Sequence, residues 1–420
     1  MSAPSPGPTM LRQSAANLVL QGLTLVSKSL LLFVMARFLD VAEVGVFGLV
    51  AVTLGIALHL AGLEFHAFNA REILARDAAA ATRLIRDQLA FHAASYGLVV
   101  PATLLVFLGG VLPWELLALF LPLLAAEHAA QELQRVLFVL SRPVAGAKVA
   151  LVRGGLWIYV ATAVLALEPG GRTLMPVLAL WLAGSLAAIA LAAWWLRDLP
   201  WAAARGVPID RRWIVRGLSV SLPLLVASLA YRLMLSIDRY VLQAYHGEAA
   251  VGVFTLYASV RNAIQGFLEF GAIFILRPRI VAAWQRGDTA TYRRLMRRLA
   301  AATVALSVLL CAGAALLIVP VLSLIGEPLY RRHLDAYAVL LAAAVVAGVA
   351  ELPHTALYAR GRDRAIIGAT LIGLAAAVAL NLWWVPRLGV LGAALASLTA
   401  LAVTALAKAL AATAARGQGP

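Results

Sequence analysis

The chain has 420 residues, 63% of them hydrophobic and only 13% charged, with a mean hydropathy of +0.89 and a net charge of +15. Soluble domains are roughly 45–50% apolar and about 25% charged, so the composition excludes a soluble globular protein and points to a polytopic helical membrane protein. The lone cysteine, Cys311, lies in an apolar run, which excludes an internal disulfide or a cysteine metal cluster.

The Pro/Ser-rich residues 1–11 predict a disordered tail, and the apolar run after them is too long and too weakly basic at its head for a cleaved signal peptide. Apolar runs set against breakers predict twelve spanning helices, at about 12–38, 42–64, 89–109, 114–140, 145–167, 174–196, 216–242, 249–276, 299–319, 335–358, 365–385 and 388–412. They divide into an N-terminal six-helix bundle (12–197), a cytoplasmic linker (198–215), a C-terminal six-helix bundle (216–412) and a tail (413–420). Residues 320–334 read as an external loop or half-buried turn. With the N terminus inside, 26 lysines and arginines fall on the cytoplasmic side and five on the other, so both termini are predicted cytoplasmic. Basic residues in short clusters between apolar runs are topology signals, which excludes nucleic acid as a partner. The basic stretch 277–298 predicts an amphipathic linker helix touching anionic lipid.

Ionisable side chains inside spans are costly, so each needs a reason. In the first helix Asn17, Gln21, Thr24 and Lys28 stand four, three and four apart on one face. Lys28 lies about 24 Å along the axis at ~1.5 Å per residue. Either the lysine snorkels to the outer headgroups, or the stripe lines a watery cavity; a polar ladder ending in a charge favours the cavity. The fourth helix carries Glu127, Glu132 and Arg135 and the tenth carries Glu351. These acids read as structural pairs near the cytoplasmic face, with binding of a coupling proton or sodium ion as the alternative.

The seventh helix shows Ser221, Ser228, Arg232 and Arg239 on one face, and the eighth Tyr257, Arg261, Gln265 and Glu269. Arg261 falls near mid-membrane, with Glu269 or Asp238 as the partner of a bland buried pair. Asp238 itself is expected to pair Arg232 or Arg239. His59, His128 and His354 are scattered without metal-ligand spacing and read as core or interfacial residues. No metal site and no cofactor are expected.

The chain also repeats. EVGVFGLVAV at 43–52 returns as AVGVFTLYAS at 250–259, an offset of 207 residues, which makes six helices plus six in parallel orientation, related by a pseudo-two-fold axis along the membrane normal. Halves so related usually enclose a site at their shared interface. Three segments, ARFLDVAEVGVFGLV (36–50), DRYVLQAYHGEAAVGVFTLY (238–257) and NLWWVPRLGVLGAALASL (381–398), resemble recurring segments of polysaccharide-biosynthesis flippases of the Wzx type. These belong to the multidrug/oligosaccharidyl-lipid/polysaccharide (MOP) exporter superfamily, and the resemblance covers nearly the whole chain.

The resemblance implies a polyprenyl-pyrophosphate-linked oligosaccharide as substrate, flipped from the cytoplasmic to the periplasmic leaflet of a bacterial inner membrane. It also places helices 1, 7 and 8 at the cavity, where Lys28, Arg232, Arg261 and Arg239 would hold the diphosphate. Asn17, Gln21, Thr24 and Gln265 complete the substrate-binding set, while Asp238, Glu127 and Glu351 are coupling or structural. Polymerase and chain-length proteins of a glycan assembly system are the implied protein partners. The rival readings are a drug or metabolite antiporter of the same superfamily, a membrane-embedded glycan polymerase or glycosyltransferase, and a non-transporting scaffold. No phosphate loop, HExxH or GxSxG is present and no large external loop bears carboxylates, so the expected activity is transport and not catalysis.

Overall fold

A computed structural model describes residues 27–414, and among these every element is helical, with no strand. In hydrocarbon each backbone N–H and C=O must find a partner within its own segment, which forces apolar runs into helices. The first unit of sequence gives α1 (27–38), α2 (Val41–Gly62), α3 (Phe65–Leu74), α4 (Ala78–Leu108), α5 (Leu117–Val139, after a short turn at Trp114–Leu116), α6 (Pro143–Leu151), α7 (Trp157–Leu167) and α8 (Leu174–Leu196). A π turn at Val152–Leu156 joins α6 to α7. There follow α9 (Arg211–Met234), α10 (Ile237–Leu268), α11 (Phe274–Gln285), α12 (Thr289–Ile325), α13 (Pro328–Arg332), α14 (Leu334–Ala359) and α15 (Asp363–Ala414).

Among the described residues nine stretches are long and apolar enough to cross a membrane. Two of them are double. Arg211–Gln285 breaks at Leu235–Ser236 and bends at Gly247 (φ 73°), and Asp363–Ala414 bends at Gly389 (φ 55°). The nine therefore hold eleven spans, and α1, the described end of the predicted first helix, makes twelve. His246 ties the two bends together, its Nε2 lying 2.7 Å from the Val385 carbonyl oxygen.

Several boundaries differ from the sequence-based ones. The predicted helix 216–242 ends at Met234, because the Arg239 guanidinium takes the free Leu235 carbonyl and the chain restarts at Ile237. The predicted linker helix at 277–298 is two helices, reversed at Gly287 (φ 71°) and restarted by Asp288, whose carboxylate caps Thr291 N at 2.9 Å. The predicted loop at 320–334 is largely helical: α12 runs on to Ile325 and stops at Gly326, whose φ of 81° closes the helix in the left-handed conformation. A helix not foreseen, α3, carries Phe65 and Phe68.

The chain packs as two compact units. One holds Thr53–Val226 and the described residues up to Leu31; the other holds Leu32–Val52 and the described residues from Ala227 on. In the first, Phe65 and Phe68 pack on Trp213 of α9, with ring centroids 5.1 and 5.6 Å apart, closing α3 and α4 over that helix. In the second, α2 and α10 cross at the repeated segments. A Cβ at Gly45 would collide with the Glu248 carbonyl, and one at Gly252 with the Val41 carbonyl. Val41 and Glu248 are equivalent under the 207-residue offset, as are Gly45 and Gly252, so the crossing is symmetric. Glycine is required at both positions because backbone meets backbone there.

Candidate functional site

The break before α10 sets up a buried charged cluster in the second unit. Asp238 Oδ1 accepts the Arg239 amide at 2.8 Å and the Arg239 guanidinium at 3.2 Å. Its other oxygen, Oδ2, accepts the Ser397 hydroxyl from α15 at 3.1 Å, and Ser397 Oγ accepts Arg261 Nη1 at 3.2 Å. Asp238, Arg239 and Arg261 are 1%, 5% and 4% exposed. Arg239 also lies 5.3 Å from the Phe254 ring centroid, in cation–π range. Two guanidiniums thus share one carboxylate in the interior. Arg261 is completed by two long bonds, 3.3 and 3.4 Å, to the exposed Asn262 Oδ1. Arg232 of α9 is half-buried, feels the charge of Arg239, and has no hydrogen bond to its Nε.

The other predicted residues are dispersed. Lys28 is exposed on α1 and belongs to the first unit, whereas Arg232, Arg239 and Arg261 belong to the second. Asn17, Gln21 and Thr24 lie outside the described residues. Gln265 is half-buried with Oε1 unpartnered, and Ser221 is buried in the first unit. The eighth-helix face is split: Tyr257 is fully buried, donates to the Tyr330 carbonyl and packs 5.0 Å from the Tyr337 ring, so it is core. Glu269 opens a π turn and is exposed. The partner that closes the Arg261 cluster is Asp238 through Ser397, and Glu269 takes no part in it.

The helix acids are each held by an arginine. Glu127 binds Arg153 and accepts Ser185 Oγ at 2.8 Å, Glu132 binds Arg135, and Glu351 binds Arg277. Lys408 of α15 is 6% exposed and is attracted to Glu351. Among the described residues no group of three or more His, Cys, Asp or Glu side chains is placed to hold a metal ion.

The family described as polysaccharide biosynthesis protein matches residues 10–284, about two thirds of the chain. The chain belongs to this family. A search of curated proteins finds no match. Among solved structures the chain has the fold of an inward-facing multidrug resistance MATE family transporter of the MOP superfamily (16% identity, 95% of this chain and 96% of that one, TM-score 0.69). It is likewise similar to the lipid II flippase MurJ in an inward closed conformation (11% identity, 96% and 87%, TM-score 0.71). A MOP superfamily transporter from Pyrococcus furiosus, noted for the reversed polarity of its binding pocket, matches at 16% identity over 96% and 94% with a TM-score of 0.62. The all-helical, multi-pass membrane architecture with twelve spans is therefore the MOP-superfamily fold.

Several buried polar residues carry little signal in the sequence. Ser397 sits in an Ala/Leu-rich run and carries no periodic signal. Gln88, His92 and Tyr96, by contrast, stand four apart on α4 and form the same kind of stripe as that on helix 8. Of the histidines read as core, His128 is buried and packs on His92, a residue the sequence did not single out, with the rings 4.8 Å apart.

Proposed function

We propose that the chain flips a polyprenyl-pyrophosphate-linked oligosaccharide from the cytoplasmic to the periplasmic leaflet of a bacterial inner membrane, by alternating access, for cell-surface polysaccharide biosynthesis. The observation that carries this reading is the charge imbalance around Asp238, where Arg239 and Arg261 face one carboxylate and Arg232 adds a third cation. Buried excess positive charge suits an anion, and a diphosphate is the part of such a lipid least able to cross hydrocarbon. The long Asn262 bonds of Arg261 are weak enough for a phosphate oxygen to replace them with charge-assisted ones. Lys28 adds a point charge in the first unit, and Gln265, with Asn17, Gln21 and Thr24, offers amide and hydroxyl groups to the sugars. The lipid tail stays in the bilayer while the head group crosses.

Membership of a polysaccharide biosynthesis family and a MOP-superfamily fold support transport over polymerase or transferase chemistry. A basic cluster also disfavours a cation-exporting drug antiporter. Glu127 and Glu351, each closed by an arginine, suit structural work better than ion coupling. Polymerase and chain-length proteins would take the flipped product. The test replaces Lys28, Arg232 and Arg261 by glutamine, singly and together, and measures lipid-linked glycan flipping in liposomes and polymer at the cell surface. Loss of flipping at normal protein level is expected; full flipping by the triple variant would sink the site.

A further inference from the structure

The first unit carries a cleft of about 500 Å³ that the arginine site does not use. It lies between the α5–α6 turn and the end of α8, on the face that the positive-inside count places in the cytoplasm. Ser141 and Arg142 with the first turn of α6 form one wall, and Trp194, Trp195, Arg197 and Asp198 form the other.

Local sequence builds both walls. The apolar span α8 ends in WWLRD (194–198), two aromatic rings followed by charge. α5 ends at Val139, and the chain reverses through Ser141 in left-handed backbone (φ 58°), which L side chains rarely adopt. Pro143 then opens α6 at its first position. Arg142 ties the walls together. Its Nη1 donates to the Trp195 carbonyl, and its two amino groups reach the two Asp198 oxygens at 2.9 and 2.8 Å.

Two further cations are left over. The Arg197 guanidinium lies 3.4 Å from the Trp194 ring centroid, and Lys148 Nζ of α6 lies 5.8 Å from that of Trp195. Among the described residues neither forms an ion pair. Asp198 feels the charge of Arg197, but Arg142 already takes both its oxygens. Three cations therefore face one carboxylate. The first-turn amides of α6, at Val144 and Ala145, add partial positive charge to the wall.

This charge suits an anion, and the level of the cleft suits one carried on a lipid. Trp194 and Trp195 are exposed at the end of an apolar span, and Phe138, one turn before Ser141, is exposed on α5. Tryptophan in such a position stands at the headgroup level of a bilayer. A guanidinium stacked on a ring keeps its N–H edge free to fork onto two phosphate oxygens.

We propose that the cleft binds the phosphodiester headgroup of an anionic phospholipid of the cytoplasmic leaflet. Arg197 donates to the phosphate oxygens, Lys148 supplies a second positive charge, and the Arg142–Asp198 pair holds the walls apart at the right width. The acyl chains descend past Phe138 and Trp194 into the bilayer. The lipid is a resident of the site and is not transported.

The test counts lipids retained by the purified, delipidated full-length chain in neutral detergent, by native mass spectrometry, as dioleoylphosphatidylglycerol or dioleoylphosphatidylcholine is added. The native chain should hold its first phosphatidylglycerol about tenfold or more tighter than R197Q/K148Q does. R205Q/R211Q removes two charges from the same surface outside the cleft and should change that affinity by less than about twofold. All four side chains are exposed, so folding is not at stake. Phosphatidylcholine, whose ammonium offsets its phosphate, should bind more weakly than phosphatidylglycerol. Equal weakening by the two double variants, or equal affinity for the two lipids, would overturn the site. Displacement of phosphatidylglycerol by inorganic phosphate, beyond that by chloride at equal ionic strength, would make the ligand a free anion and overturn the lipid assignment. No transported substrate enters the measurement, so its failure would leave the flippase reading standing.

Discussion

Gly48 and Thr255, equivalent residues 207 positions apart, touch one another: a Cβ at Gly48 would collide with the Thr255 side chain. Equivalent residues meet only on the rotation axis that relates their repeats. The pair therefore marks the local pseudo-two-fold axis, flanked by the reciprocal Gly45–Glu248 and Gly252–Val41 contacts.

Symmetry makes this pair exchangeable. Gly48→Thr alone overfills the axis and Thr255→Gly alone empties it, each lowering stability by about 1–3 kcal/mol. The double swap should recover most of the loss, measured as a double-mutant cycle of unfolding midpoints in detergent. Additive losses would place the two residues off the axis.

Gly45→Ala and Gly252→Ala push a methyl group into a backbone carbonyl and should each lower the midpoint by the equivalent of about 1–3 kcal/mol. Gly97 on α4 has open space around it, so Gly97→Ala should be neutral or gain about 0.5–1 kcal/mol from helix propensity. Equal effects at the three glycines would refute the close crossing.

Ser397 bridges Asp238 and Arg261, so Ser397→Ala leaves two buried groups short of a partner and should cost about 1–3 kcal/mol. Asp238→Asn leaves two guanidiniums uncompensated and should cost more, about 3–5 kcal/mol. Chemical unfolding in mixed micelles reads both, and the order of the two losses is the decisive outcome.

Tyr257→Phe removes one buried hydrogen bond, to the Tyr330 carbonyl, and should cost about 1 kcal/mol while leaving flipping intact. A flipping defect without loss of stability would return Tyr257 to the substrate path.

Three groups outside the spans respond to acid: His66, Asp198 and Asp288, the last held below its ordinary 3.8 by hydrogen bonds from Thr291. Folding lowers His66 from 6.5 to about 4, chiefly by burial, so the unfolded ring binds a proton that the folded ring refuses. Its contribution is complete above pH 6.5 and is lost as pH falls from there to about 4. The exposed Asp198 carboxyl is held below its ordinary 3.8 by hydrogen bonds from Arg142, so its contribution disappears only at lower pH. Thermal midpoints against pH should fall first in the upper window, and His66→Gln should flatten that window alone.

The spans were legible because apolar length and positive-inside charge act on every residue of a helix, and the repeat was legible because it lies in one continuous decapeptide. Helix ends such as Met234 and Ile325 were not, because a capping arginine or a left-handed glycine decides them locally. Arg261 was legible as an isolated mid-span charge, yet its bridge, Ser397, lies 136 residues away and looks like any small residue of a packed helix. The contact between His92 and His128 was missed because its members come from two helices, α4 and α5; only the four-residue spacing of Gln88, His92 and Tyr96 announced a polar face.

The axis contact between Gly48 and Thr255 shows what a fused duplication can do and a two-fold dimer cannot. A dimer must place the same residue twice on its axis, and here two threonines would clash while two glycines would leave a void. One continuous chain can set a small residue beside a larger one and fill the space, and because the two copies are tethered, dilution never separates them.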